Sequence, residues 1–244
     1  MNMRLLVHVL TGAALCLPHG TPPQLSLRVA PLTLAVPGDT VRISYAVTNQ
    51  PSSIGSLFIF IVDAPAAPLR VEEPAPSTQW YVRDRFVERP VASWSFIEQQ
   101  LAPGATSPSL TYSAVGLPGL VKYWGVPYVP PDSVGMADDA AAAPDSTTSA
   151  GPGRISSDSG FTVGIVPFPA DRSPGALSQR LAGLIDEACL RGLVDNQGVC
   201  NSLNAKVRAG QYRALINELD AQRGKHVSEP GYFLLWGNAQ ILLR

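Results

Sequence analysis

The chain has 244 residues, of which 45% are hydrophobic and only 15% charged. Its 18 Lys and Arg nearly balance its 19 Asp and Glu, and like charges do not gather in blocks, which argues against nucleic acid as a partner. The 23 prolines and 21 glycines predict many turns and short strands.

The amino terminus has the pattern of a secretory signal peptide. A basic start precedes an apolar run over residues 5–17, which is too short for a membrane-spanning helix. We predict a signal peptide over 1–20, cleaved after Cys16 or Gly20. Lipidation of Cys16 is the alternative, which the bulky Leu15 disfavours. The mature protein is expected to be secreted, periplasmic or extracellular, with no transmembrane anchor.

Two cysteines remain after removal of this peptide, Cys189 and Cys200. In an oxidising compartment an even pair is a disulfide candidate, and two unpaired core thiols are the alternative. We expect no metal site here, because the only nearby imidazole is His226 and a fourth ligand is missing.

From residue 24 to residue 129 the hydrophobic pattern has a period of two, which is typical of strands. Residues 25–36 and 41–47 alternate around a Pro37-Gly38-Asp39 turn, and 57–62 is a continuous apolar run. Further strands are predicted over residues 79–87, 91–97, 109–115 and 120–128, with turns at 102–104 and 117–119. Seven or so short strands predict a β-sandwich.

Periodicity is lost over residues 130–159, which hold five aspartates and one arginine. We predict a disordered acidic insertion, since the tract has little apolar surface to bury and no EF-hand spacing. Residues 160–166 regain strand character and are interpreted as the last strand of a sandwich over 22–166. The alternative places them inside a linker.

After Pro167 the period becomes helical. Four short helices are predicted within 173–244. The first begins at Ser173-Pro174 and ends at Gly192, the second follows a turn at 195–198 and ends at Gly210, the third ends before Gly224, and the fourth begins at Ser228. They form a small bundle, in which a disulfide between Cys189 and Cys200 would tie the first helix to the second.

The helical segment resembles the FIMAH domain, a C-terminal module of secreted bacterial proteins. The likeness covers about residues 175–243 and consists of an ordered set of Asn-Ser-Leu, Ala-Lys, Gly-x-x-x-Ala and Gly-Lys-His motifs. The matching segments are 192–199, 201–206, 210–219, 224–226, 234–235 and 239–240. The family implies no catalytic residues.

The first half is similar to bacterial Ig-like domains of extracellular proteins. Residues 36–41 leading to 47–49 match their opening hairpin. Together the two resemblances imply a mainly β plus α fold: an N-terminal Ig-like antiparallel β-sandwich followed by a small C-terminal helical bundle.

The sequence offers no recognisable catalytic motif. His-Glu-x-x-His, Gly-x-Ser-x-Gly and phosphate-loop patterns are absent, and His226 is expected at a helix end. The carboxylate pairs Glu72-Glu73 and Asp84 with Glu88 lie in polar surroundings. We therefore predict a non-enzymatic protein with no catalytic residues, cofactor or metal.

The strongest binding signal lies between residues 80 and 128, which hold 9 of the 18 aromatic residues. In the strand from Trp80, alternation places Tyr81, Arg83, Arg85 and Arg89 on one face. Such a face can hold a glycan by stacking and arginine hydrogen bonds, and the alternative is a solvated face over a core. The ligand-binding residues predicted on this strand are Trp80, Tyr81, Arg83, Arg85 and Arg89.

Three functions follow from these patterns. The first is a secreted binding or adhesion-type protein of the bacterial envelope or extracellular space, with an envelope glycan or another secreted protein as partner. The second is a structural scaffold whose helical tail docks onto another secreted protein, and the third is a hydrolase with an unrecognised site.

Overall fold

The computed structural model describes residues 25–75, 80–86, 89–128 and 158–244. The predicted signal peptide at 1–20 and nearly all of the predicted acidic insertion lie outside these residues. Among the predicted site residues, the side chains of Trp80 and Arg89 also lie outside what is described.

Within the described residues, nine strands form two antiparallel sheets. They are β1 Leu27–Ala35, β2 Thr40–Asn49, β3 Leu57–Asp63, β4 Leu69–Val71, β5 Trp80–Phe86, β6 Arg89–Phe96, β7 Leu110–Val115, β8 Leu117–Pro127 and β9 Asp158–Val166. The four-stranded sheet has the order β1-β2-β7-β4 and the five-stranded sheet the order β5-β6-β3-β8-β9. These orders match the two sheets of an immunoglobulin sandwich with a hairpin added to one edge, so the predicted fold class is confirmed.

The last strand belongs to the sandwich. β9 pairs with β8 from Leu117↔Val166 to Gly125↔Asp158, which confirms the interpretation of 160–166 as a strand of the sheet. The turn predicted at 117–119 is wrong, because this pairing draws Pro118 and Gly119 into β8. A Cβ on Gly119 would lie 2.7 Å from the Val166 side chain, so the close approach of β9 requires glycine there.

The sandwich core contains a cluster of buried aromatic rings, formed by Tyr45, Phe60, Trp94 and Tyr112. Tyr45 Oη donates to the Val163 carbonyl oxygen at 2.6 Å, and the Ile165 amide donates to Tyr112 Oη at 2.9 Å. Burial raises the pKa of Tyr112 to about 12 and raises the pKa of Tyr45 well above its ordinary value. These hydroxyls satisfy backbone groups of β9 from the opposite sheet.

Four helices follow in the described segment 158–244, as predicted: α1 Pro174–Leu190, α2 Gln197–Arg208, α3 Tyr212–Gln222 and α4 Glu229–Leu242. The side chains of Ser173, Asn196 and Ser228 each accept a hydrogen bond from a first-turn amide. Gly192 and Gly210 follow helices with φ of 70° and 65°, the left-handed conformation that glycine adopts most readily. None of the described helices is both long and apolar enough to cross a membrane.

The helical part packs directly on the sandwich. α4 lies against β1, β8 and β9, and one continuous hydrophobic core joins the sandwich to the helices. Two polar side chains, Arg180 of α1 and Asn238 of α4, donate to the Pro118 carbonyl oxygen at 3.1 and 2.9 Å. Gly237 allows the close contact, because a Cβ there would lie 2.6 Å from Pro118 Cγ.

The expected disulfide is present. Cys189 near the end of α1 is bonded to Cys200 in the first turn of α2, with their Cα atoms 6.2 Å apart. It therefore joins the first two helices, as the sequence predicts.

Candidate functional site

The predicted binding strand, β5, forms one edge of the five-stranded sheet. Tyr81 is 48% exposed, and the guanidinium carbon of Arg83 lies 4.8 Å from the centre of its ring. This cation–π contact shows that the two side chains share the outer face of the sheet. The structure thus brings together two of the five predicted ligand-binding residues.

The pairing of β5 with β6 becomes irregular after Arg83. The register of β5 against β6 shifts between Arg83 and Arg85, so that Arg85 pairs with Pro90. Arg85 is exposed, and since the extra residue of this bulge lies on β6, β5 keeps its two-residue spacing from Arg83 to Arg85.

The outer face carries regular rows of side chains across the strands, because residues paired in an antiparallel sheet point to the same side. In one row, Tyr81 pairs with Ser95, which pairs with Ile59. The next row runs from Arg83 through Ser93 and Ile61 to Trp124. β6 therefore contributes two small serines between bulkier neighbours on β5 and β3.

These rows define a strip of small side chains along β6 between bulkier neighbours, which we call the serine groove. Its floor is Ser93 and Ser95, with Tyr81 and Arg83 along one side and Ile59 and Ile61 along the other. Because the flanking strands are two strand spacings apart, the backbones of the two sides lie about 9.6 Å apart.

An apolar cluster supports the far side of the groove. Ile59, Ile61 and Val91 are buried on the outer face, and Phe58, Trp124 and Val126 pack against them half-buried. Trp94, by contrast, points to the opposite face and is fully buried in the sandwich core. Buried apolar side chains therefore lie on both faces of the sheet at this point.

Ser93 is the most unusual residue of the groove. It is 1% exposed, and its hydroxyl has no hydrogen-bond partner among the described residues. Burying a hydroxyl without a partner costs about 1–3 kcal/mol. Ser44 and Thr111, also buried in the sandwich, bond each other at 2.8 Å, whereas the buried Thr162 hydroxyl of β9 has no partner among the described residues either.

Sequence reasoning missed Ser93, Ser95 and Trp124 as site residues. The signal in the sequence is the alternation along β6 of Ala92, Trp94 and Phe96 with the two serines. A period of two with small polar residues on one side indicates a face that is not simply core. The alignment with Trp124 depends on pairing through β3 and could not be derived from one strand.

The helices hold a second cluster of polar groups. Lys206 Nζ donates to Ser202 Oγ at 2.7 Å, Ser202 Oγ donates to Glu218 Oε2 at 3.0 Å, and Lys206 Nζ lies 2.8 Å from Glu218 Oε2. All three groups bond one another, so they form a closed network that links α2 to α3.

Two of the other groups considered from the sequence, His226 and Glu72, have structural partners. His226 Nδ1 lies 2.8 Å from Asp195 Oδ1 and so connects two loops of the helical part. Glu72 accepts two hydrogen bonds from Arg42, at 2.8 and 2.6 Å, and these bonds hold the pKa of its carboxyl below the ordinary value. In the part of the chain that the structure describes, no three His, Cys, Asp or Glu side chains gather into a group that could hold a metal ion.

No protein-family model matches this chain, and no curated protein matches it either.

Proposed function

We propose that this is a secreted, non-enzymatic binding protein of the bacterial envelope or extracellular space, and that its ligand is a glycan held on the serine groove. The observation that carries the proposal is the exposed Tyr81 ring with the Arg83 guanidinium over it, in strand register with Ser95 and Ser93 of β6. Aromatic rings stack on the apolar faces of sugars, and arginine and serine bond sugar hydroxyls.

The distribution of exposed apolar side chains supports binding over the scaffold alternative. Tyr81 and Phe161 are exposed on the five-stranded sheet, at 48% and 52%, and Tyr128 just after β8 is 37% exposed. Within the described helical part, the exposed large hydrophobic residues are Leu190 and Leu243, which lie at the ends of α1 and α4. A docking tail would need a continuous apolar groove on the helices.

The compartment and the helical module are part of the same proposal. A disulfide between Cys189 and Cys200 is favoured in an oxidising compartment, and the sequence at 1–20 has the pattern of a signal peptide. The helical part, with its four short helices, is proposed to be a FIMAH-like module.

The test is co-sedimentation of the full mature chain with bacterial envelopes stripped of protein. We expect the chain to sediment and a Tyr81→Ala variant to remain in the supernatant. Phe161→Ala is the matched control, because Phe161 is a 52% exposed aromatic residue on β9, away from the groove. If both variants sediment like the parent chain, Tyr81 does not hold the ligand and the proposal fails.

A second experiment tests the scaffold alternative. Envelopes that retain their proteins are compared with the stripped material, using the same full chain. Sedimentation only with the protein-containing envelopes would favour docking onto another secreted protein.

A further inference from the structure

We propose that a polar cleft between α1 and α2 binds a free α-amino acid, whose ammonium group pairs with Asp186 and whose carboxylate pairs with Arg208. This second site lies on the helical part, whereas the serine groove lies on the five-stranded sheet. The cleft has a volume of about 460 Å³, which is within the usual range for sites that bind small molecules.

The cleft follows from the two sides of α2. One side is buried and apolar. The other carries a polar stripe, in which residues recur at spacings of four, three and four: Gln197, Asn201, Asn204 and Arg208. α1 supplies Asp186 to the opposite wall, and the disulfide between Cys189 and Cys200 joins the two helices at the cleft. Polar groups of both helices therefore line one space.

The cleft contains two unlike charges that do not pair with each other. Asn204 Nδ2 donates to Asp186 Oδ1 at 2.7 Å, which holds the carboxylate in place and leaves Asp186 Oδ2 without a partner among the described residues. Arg208 makes no hydrogen bond or ion pair within the described part of the chain, whereas Lys206 in the same turn is paired with Glu218. A ligand that carries both charges can satisfy Asp186 and Arg208 together.

The spacing of the two charges suits a small molecule. Asn204, which bonds Asp186, lies four residues before Arg208, so the two positions are about 6 Å apart along the helix axis. Charge-assisted hydrogen bonds of about 2.8 Å occupy part of the space at each end. An α-amino acid carries its ammonium and carboxylate on one carbon atom, so both groups can reach their partners across this spacing.

The rest of the stripe selects for a polar, uncharged side chain. Gln197 Nε2 donates to Asn201 Oδ1 at 3.1 Å, which leaves Gln197 Oε1 as an acceptor and Asn201 Nδ2 as a donor. An amide or hydroxyl side chain has the matching groups. None of the described residues that line the cleft is aromatic, so a sugar would have no ring to stack on. The chemistry of this cleft therefore favours an amino acid over a glycan.

The test is isothermal titration calorimetry of the full mature chain with L-glutamine, L-asparagine and L-serine. The amino acid that binds most tightly is then compared with its N-acetyl derivative, which lacks the ammonium group, and with its carboxamide derivative, which lacks the carboxylate. L-leucine tests the preference for a polar side chain. We expect each of these three comparison compounds to bind at least about tenfold more weakly, because each loses polar contacts with the cleft.

Two variants locate the charges. Asp186→Asn keeps an oxygen that accepts from Asn204 but removes the negative charge, so it should bind the amino acid about tenfold more weakly and no longer distinguish it from the N-acetyl derivative. Arg208→Gln should weaken binding similarly and no longer distinguish the amino acid from its carboxamide. Arg213→Gln is the matched control, since Arg213 is an exposed arginine on α3 outside the cleft. Circular dichroism checks that each variant is folded.

Three results would overturn the inference. The first is that none of the three polar amino acids binds, and the second is that the N-acetyl or carboxamide derivative binds as tightly as its parent. The third is that the Asp186→Asn and Arg208→Gln variants bind like the parent chain, which would place the ligand outside this cleft. Sedimentation with stripped envelopes is measured separately and depends on Tyr81, so the glycan proposal and this one fail independently.

Discussion

Replacing Ser93 by alanine should stabilise the protein, although most substitutions at buried positions destabilise it. The Ser93 hydroxyl is buried and has no hydrogen-bond partner among the described residues, so folding removes it from water without compensation. That desolvation costs about 1–3 kcal/mol, and alanine removes it while leaving only a small gap. We expect a net gain of about 1 kcal/mol, which in a chain of this size raises Tm by about 2–4 °C.

Ser44→Ala is the matched control, because it makes the same chemical change at another buried strand position. Ser44 is 4% exposed, and its hydroxyl bonds Thr111 at 2.8 Å. Alanine at this site loses that bond and leaves the Thr111 hydroxyl buried and unpaired, so it should cost about 1–2 kcal/mol. The two variants should therefore shift the free energy of unfolding in opposite directions.

The assay is urea unfolding of the parent chain and both variants, followed by circular dichroism at 25 °C. The free energy of unfolding must fall with urea concentration at the same slope in all three proteins, so that a change in the midpoint reports a change in stability. A Ser93→Ala variant that loses as much stability as Ser44→Ala would show that the Ser93 hydroxyl contributes to the fold. That result would remove the reason to assign the Ser93 hydroxyl to a ligand.

Three further predictions test the packing and chemistry of the fold. Gly237→Ala should destabilise the protein by about 1–3 kcal/mol, because its Cβ would lie 2.6 Å from Pro118. The control is Gly183→Ala in α1, whose Cβ would meet nothing within 4 Å and which should be neutral or stabilising. Equal urea midpoints for the two variants would contradict the close contact of Gly237 with Pro118. Replacing both Cys189 and Cys200 by alanine should lower the free energy of unfolding by about 3 kcal/mol, as expected for a link across 11 residues, and an unchanged midpoint would refute this. Burial raises the pKa of Tyr112 to about 12, so the stability that its protonated form contributes is fully present below pH 10 and is lost as pH rises from 10 to 12. Absorbance at 295 nm should show that Tyr112 ionises together with unfolding. Ionisation of every tyrosine near pH 10, before any loss of circular dichroism, would contradict the burial.

The local features of this fold could be predicted from the sequence. Ser173, Asn196 and Ser228 cap helices with their own side chains, and Gly192 and Gly210 end helices for reasons of backbone conformation. Such signals depend on a few neighbouring residues, so they predict the four helices with nearly their observed bounds. The disulfide was predictable because few cysteines leave few pairings.

Features that depend on distant contacts could not be predicted. Pro118-Gly119 has the chemistry of a turn, but pairing with Ile165 and Gly164 makes it a strand. β4 has only three residues, too few to show a period of two. The contact of Asn238 with Pro118 spans 120 residues, and no local pattern indicates that the helices pack on the sandwich.

The candidate site was predictable in part for the same reason. Tyr81 and Arg83 lie two residues apart on one strand, and simple alternation places them together. The register shift after Arg83 could not be predicted, and Ser93 and Trp124 enter the site only through pairing across β6, β3 and β8. A single strand carries no information on what lies beside it.

Hydrogen–deuterium exchange of the full mature chain, with and without glycan from stripped envelopes, tests the central claim most directly. The serine groove predicts that added glycan slows amide exchange in β5 and β6, over 80–86 and 91–96, and leaves α1 to α4 unchanged. The Tyr81→Ala variant should show no such protection. Protection confined to the helices, or protection of β5 and β6 that survives Tyr81→Ala, would contradict the assignment of the ligand to this groove.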